Sequence, residues 1–205
     1  MCEGFDFSKE KKMAKNKKKK ILEVAAQLFA SQGFDNTTTL QIARETRVTE
    51  PLLYYHFKGK EEIFTYILAE VFQKYAEHID ELPKNTQTEF DKIANLIRLH
   101  SHIAEEHPQN ARLILSNCPG KLMQKQHACR DILEKQQQMV SSYIQDCLES
   151  GNAKKEFDAH PVEQTALILL CLANEFMRMK IMRKKDSQPD TQGTIEFCRK
   201  SLVKS

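Results

Sequence analysis

Residues 48–62 read VTEPLLYYHFKGKEE. Within seven positions they place two phenol hydroxyls, Tyr54 and Tyr55, an imidazole, His56, and two ammonium groups, Lys58 and Lys60. Such donors suit hydrogen bonding to phosphate oxygens, with some contact to base edges. They lack the partners that would make a nucleophile or a general base of any of them. Pro51 explains how they are held: it pre-sets φ in a first helical turn and lacks a donor that would be unpaired there anyway. It also disfavours α geometry at Glu50, so a short helix is expected to begin at 50 or 51. If Leu53 and Phe57 face inward, Tyr55 lies about 200° away and faces outward. The alternative is that both tyrosines pack between helices.

Two further constellations contain residue types capable of chemistry. His100, His102, Glu105, Glu106 and His107 contain metal-ligating types. On one helix, however, His100 and His102 point about 200° apart, and His100 and His107 are about 10 Å apart along the axis. Only His102 and Glu106 share a ligand spacing, and no metal is expected. The second set is the six cysteines, at positions 2, 118, 129, 147, 171 and 198, the closest pair eleven residues apart. No CxxC unit exists, and scattered thiols read as small buried residues in a reducing cytoplasm.

The elements that must position these groups read as all-α. Glycines and prolines number six each, and no alternating β-branched run appears. A helix over 17–32 carries Ile21, Leu22, Ala25, Leu28 and Phe29 as a stripe, with Gly33 as its stop. Thr38, with Gln41 three residues on, starts a helix over 38–46. The Pro51 helix covers about 50–56, and a longer one runs from Lys60 until Pro83 ends it. Further helices are expected at 86–106, 108–116, 121–150 (stopped by Gly151), 161–183 and 191–203. Residues 1–15 are polar, lysine-rich and aperiodic, and are expected to form a flexible basic tail.

Charge is uneven along this layout. Residues 1–60 hold twelve Lys/Arg against seven Asp/Glu, although the whole chain is only +3. A positive end points to an anionic polymer or surface. The longest apolar run, Ala166 to Ala173, is far short of the roughly 20 residues that span a bilayer. No GxSxG, HExxH or glycine-rich phosphate loop is present, so an enzyme is not expected, and neither is a cofactor.

The helix at 17–32 and the two short helices that follow it obey helix-turn-helix grammar, with Ala43 small enough for a close crossing. In detail, ILEVAAQLFASQGFDNTTTLQIARETRVTEPLLYYHFKGKEEIF resembles the DNA-binding domain of TetR-like transcriptional regulators over about residues 17–64. The resemblance implies a helix-turn-helix domain at 16–63 and a larger helical domain at 64–205 for ligand binding and dimerisation. It implies a cytoplasmic repressor, released from a palindromic DNA operator by a small-molecule inducer. The competing reading is a helical module that binds a partner or a membrane surface without specific DNA readout. The expected DNA-contacting set is Thr38, Thr39, Thr49, Glu50, Leu52, Tyr54, Tyr55, His56, Lys58 and Lys60. For Lys17–Lys20, a solvated helix start competes with nonspecific attraction to DNA.

The segment departs from the family pattern at three positions. Arg47 stands where glycine is frequent, Glu50 where lysine is common and Leu52 where a small polar residue is common. Glu50 should repel phosphate, and Leu52 can touch a thymine methyl. In the C-terminal part the resemblance implies a homodimer through 161–183 and 191–203. His100, Met123, Met139, Tyr143, Asn174, Phe176 and Met177 are candidates to line an inducer pocket. Core packing is the alternative for each, and for Asn174 a satisfied interface amide.

Overall fold

The computed structural model describes residues 7–116, 119–122, 128–158, 160–183, 187 and 189–204, with side chains given for all of these except 7–15 and 121. Nine α-helices occur among the described residues: α1 Phe7–Gln32, α2 Thr39–Thr46, α3 Glu50–His56, α4 Lys60–Asp80, α5 Glu89–Glu106, α6 Pro108–Ile114, α7 Ala128–Ala153, α8 Val162–Met182 and α9 Thr191–Leu202. Phe157 and Val203 form an isolated antiparallel bridge, and no named strand exists among these residues.

Helix α1 starts ten residues earlier than its apolar stripe suggests, so residues 7–15 of the expected tail are helical. Lysine and alanine are good helix formers, and nothing between Phe7 and Lys17 breaks a helix. At its other end Gly33 adopts φ 81°, the left-handed stop expected of it. Helix α2 begins as its sequence indicates, with the Thr38 hydroxyl accepting from the Gln41 amide at 3.1 Å. Gln41 does not complete a reciprocal box; its side chain bonds Gln32 and Glu45 instead.

The first three helices enclose a small core of Ile21, Ala25, Leu28, Phe29, Ile42, Ala43 and Leu53, all buried. Phe29, Phe34 and Phe64 close it with ring centroids 5.1–5.8 Å apart, in the range where edge and offset contacts are favourable. Phe64 belongs to α4. The N-terminal half of α4 therefore packs in this first core, while Tyr75 and Ile79 at its other end are buried in the second. One continuous helix thus joins the two parts.

The second core lies among α4, α5, α7 and α8, with α9 laid against α5. Helix α5 starts with a reciprocal capping box between Thr88 and Asp91. The carboxylate of Glu156, 66 residues later, accepts from the amides of Glu89 and Phe90 at 2.7 and 2.8 Å. Glu89 itself is buried. Burial alone would raise its pKa, but hydrogen bonds from Lys154, Lys92 and Ser150 hold it at about 2. A buried carboxylate between two ammonium groups is compensated where a lone one would be costly.

Gly151 corrects an expectation. Helix α7 does not stop there but continues to Ala153. A Cβ at Gly151 would lie 2.1 Å from the Phe157 ring, so the glycine is required for that ring to dock on the helix. Sequence spacing suggested a terminator; the requirement is one of packing.

Candidate nucleic-acid interface

Helix α3 is seven residues long, and isolated helices of that length are marginal in water. Its geometry comes from its surroundings. The Thr49 carbonyl accepts from the amides of Leu52 and Leu53 at 3.0 and 3.1 Å, and Leu53 is fully buried. With Leu53 inward, Tyr54 is 51% and Tyr55 79% exposed, the orientation expected from helical angles. The hydroxyls of Tyr54 on α3 and Thr39 on α2 are 3.1 Å apart, which brings two of the expected contact residues to one spot. One hydroxyl donates its proton to the other, and the second is left free to donate to a further acceptor such as a phosphate oxygen.

The other expected residues are placed as follows. Thr38 is exposed but already engaged as the α2 cap. Thr49 is exposed at the start of α3, while Glu50 and Leu52 are half-buried. Lys58 is exposed, and its amide donates to Glu62 at 2.6 Å. The His56 ring stands edge-on to Tyr55 at 5.1 Å, and its Nε2 is buried without a hydrogen-bond partner among the described residues. Burial, then the nearby Lys18 and Lys17, push its pKa below the usual histidine value. It therefore acts as a neutral imidazole at pH 7.

Lys60 differs from expectation. Its Nζ donates to the carbonyls of Phe34 and Thr37, both at 2.9 Å, and sits 4.3 Å from the Phe34 ring centroid. The Phe34 carbonyl also accepts from the Thr37 amide at 3.2 Å, and the ammonium adds a second donor to it and one to the Thr37 carbonyl. Lys60 ties the domain together and is not turned toward an outside partner. Lys18, passed over as part of a solvated run, lies instead against α3 and α4. Its Nζ is 5.3 Å from the Phe57 ring and 4.8 Å from the Tyr66 ring.

Arg47 occupies the α2–α3 turn at φ 57°, ψ 40°, the left-handed region, with its N–H directed to the carbonyls of Ala43 and Arg44. A side chain costs on the order of 1 kcal/mol there, and glycine avoids that cost. Arg47→Gly is expected to stabilise the protein by about 1 kcal/mol in urea unfolding. An unchanged midpoint would show that the turn carries no strain.

The candidate inducer-pocket residues do not share one cavity. His100 and Met177 are fully buried in the second core. His100 Nε2 pairs with the Tyr75 hydroxyl, and the Ala173 backbone is the polar group that acts on the ring from α8. Tyr143 donates to the Lys92 carbonyl at 3.2 Å and lines a small cavity of about 360 Å³ with Lys92 and Cys147. Phe176 borders a cleft of about 500 Å³ between α8 and α9. Asn174 lines a groove of about 590 Å³ among α6, α7 and α8, with Leu133, Leu170, Arg130 and Arg178. Met139 is half-buried on α7, and Met123 lies outside the described residues.

Comparison with known proteins agrees with this layout. Residues 21–67 match the bacterial regulatory proteins of the tetR family. The chain is 27% identical over 152 residues to the HTH-type transcriptional regulator AcrR of Shigella flexneri, covering 69% of this chain and 69% of that protein. It is 47% identical over 53 residues to the HTH-type transcriptional regulator QacR of Staphylococcus aureus, covering 26% and 28%. Among solved structures, FadR of Bacillus subtilis in complex with stearoyl-CoA aligns at TM-score 0.68 and 18% identity, over 87% of this chain and 96% of that one. At that identity the likeness is one of fold. The higher identity is confined to a short stretch.

Proposed function

We propose, for a chain whose N-terminal domain is that of the TetR-like regulators, that this ligand-responsive DNA-binding regulator is a repressor released from a palindromic operator by a small-molecule inducer. The observation that carries the proposal is the outward pair Tyr54 and Tyr55 on a seven-residue helix anchored by Leu53. Thr38, Thr39, Thr49, Glu50, Leu52, His56 and Lys58 surround that pair and complete the contact set; Lys60 is left out of it.

Reading two half-sites requires two copies. Helices α8 and α9 carry Leu167, Ile168 and Phe197 at 53–65% exposure, opposite the buried Leu169, Leu170, Ile195 and Cys198. A face of this kind is expensive to leave in water and supports a homodimer. Its members work in the cytoplasm, where the operator is; no helix among the described residues is long and apolar enough to cross a membrane.

For the inducer, the groove among α6, α7 and α8 supplies apolar walls, an amide at Asn174 and the guanidinium groups of Arg178 and of Arg130, the latter paired with Glu134 of the same lining at 2.6 Å. That lining suits an apolar body with an anionic end, and the stearoyl-CoA held by the Bacillus subtilis FadR makes acyl thioesters the first class to test. Release follows if the inducer prefers an arrangement of α4 that mis-spaces the two α3 helices.

The test is fluorescence anisotropy with DNA from upstream of the chain's own gene. Y54A/Y55A is expected to weaken binding about 10- to 100-fold, matching a loss of roughly 1–3 kcal/mol in contacts, with helix content retained. Equal affinity in the variant would remove the tyrosine pair from the interface.

A further inference from the structure

The reading domain is preceded by more helix than it uses. Among the α1 residues with described side chains, 16–32, the first one buried is Ile21, while the helix starts at Phe7. The fourteen residues between hold eight lysines, at 9, 11, 12, 15, 17, 18, 19 and 20, against one acid, Glu10. At about 1.5 Å per residue they form a rod of roughly 20 Å. Duplex DNA presents about one charge per 1.7 Å of axis, so a rod of that length meets many phosphates.

The rod is also in the right place. Lys18 sits over the Phe57 ring, immediately after the reading helix, and the charges of Lys17 and Lys18 are felt at His56, the last residue of that helix. Lys11 and Lys15 are at i−7 and i−3 from Lys18, the register of one helical face. From Lys17 and Lys18 the same helix continues N-terminally to Phe7.

We infer that residues 7–20 are a second DNA contact, a sequence-independent basic rod that grips the duplex backbone beside the site read by α3. The inference rests on the proposed DNA-binding function and adds a contact to it. Lysines four apart, as at Lys11–Lys15 and Lys15–Lys19, repel each other on a helix, and a polyanion laid along them relieves that repulsion. A membrane surface fits less well. The rod offers only Phe7, Met13 and Ala14 as apolar residues, too few for a face buried among lipid chains.

The full-length chain and the variant K9Q/K11Q/K12Q/K15Q can be titrated on a 30-base-pair random-sequence duplex between 50 and 200 mM NaCl. Each lost phosphate contact flattens the slope of log affinity against log salt by about 0.9. The variant is expected to show a slope shallower by about 2–3 and at least tenfold weaker binding at 50 mM. On DNA from upstream of the gene, its preference over the random duplex is expected to persist, whereas Y54A/Y55A loses that preference. An unchanged slope in the quadruple variant, with wild-type binding intact, would overturn the rod as a contact. Loss of the sequence preference in the quadruple variant would overturn its sequence independence. Capture of the wild type but not the variant by phosphatidylserine vesicles, with an unchanged DNA slope, would assign the rod to lipid instead. If the wild type bound neither duplex, the DNA-binding function itself would fall, and the inference with it.

Discussion

Leu53→Ala is expected to destabilise the protein by about 3 kcal/mol and to abolish operator binding. Leu53 is fully buried and is the one buried residue of α3, a helix too short to persist without that anchor. Truncation leaves a cavity among Ile21, Ala25 and Ile42, which belong to helices that cannot close on it without moving the α2–α3 turn. That turn is already fixed by the left-handed Arg47. Leu52, one residue earlier and half-buried, provides the control. Leu52→Ala is expected to change stability by less than about 1 kcal/mol while altering the preferred DNA sequence. Urea unfolding followed by circular dichroism, with anisotropy on the same samples, reads both effects. Comparable unfolding costs for the two leucines would contradict the anchoring role.

A second large effect is expected on acidification. His100 lies wholly within the second core, and burial lowers its pKa to about 4, with the Ala173 carbonyl pulling weakly the other way. Its Nε2 pairs with the Tyr75 hydroxyl, which burial keeps protonated. In the unfolded chain the same imidazole titrates at 6.5. Between these values the unfolded chain binds more protons than the folded one, so stability falls as the pH falls from 6.5 toward 4. At about 1.4 kcal/mol per pH unit of difference, the full loss is about 3 kcal/mol. Glu89 acts in a separate, lower window. Its pKa of about 2 lies below the ordinary 4.5, so its contribution is present above 4.5 and lost as the pH falls toward 2. His100→Gln retains a partner for Tyr75 but does not titrate. It is expected to flatten the stability profile between pH 6.5 and 4 and leave the lower limb in place. A variant that kept the wild-type slope in the upper window would place the titrating group elsewhere.

Local signals carried much of the architecture. Thr38 and Pro51 mark the starts of α2 and α3 because a hydroxyl cap and a missing donor act on the next turn alone. Tyr54 and Tyr55 could be turned outward on paper because Leu53 and Phe57 fix the helical phase between them. What escaped depends on residues distant in the chain. Lys60 has the composition of a phosphate contact, yet it satisfies carbonyls 23 to 26 residues upstream. Gly151 has the composition of a helix stop, but the ring of Phe157 is what requires it. Glu156 caps α5 from across the second core, and no short-range pattern announces that. The polar start of α1 looked aperiodic because its sequence carries no apolar stripe, although lysine propagates a helix well. The pocket candidates shared a chemistry but not a place: His100 and Met177 fill the core, and Asn174 and Tyr143 face different cavities.

The central claim is that two copies of the Tyr54–Tyr55 helix read one operator. Hydroxyl-radical footprinting of the DNA upstream of the gene tests it most directly. Two protected patches related by a dyad, centred roughly one helical turn or a multiple of it apart, are expected, and Y54A/Y55A should erase both. A single unsymmetrical patch, or protection that survives in the variant, would contradict the claim.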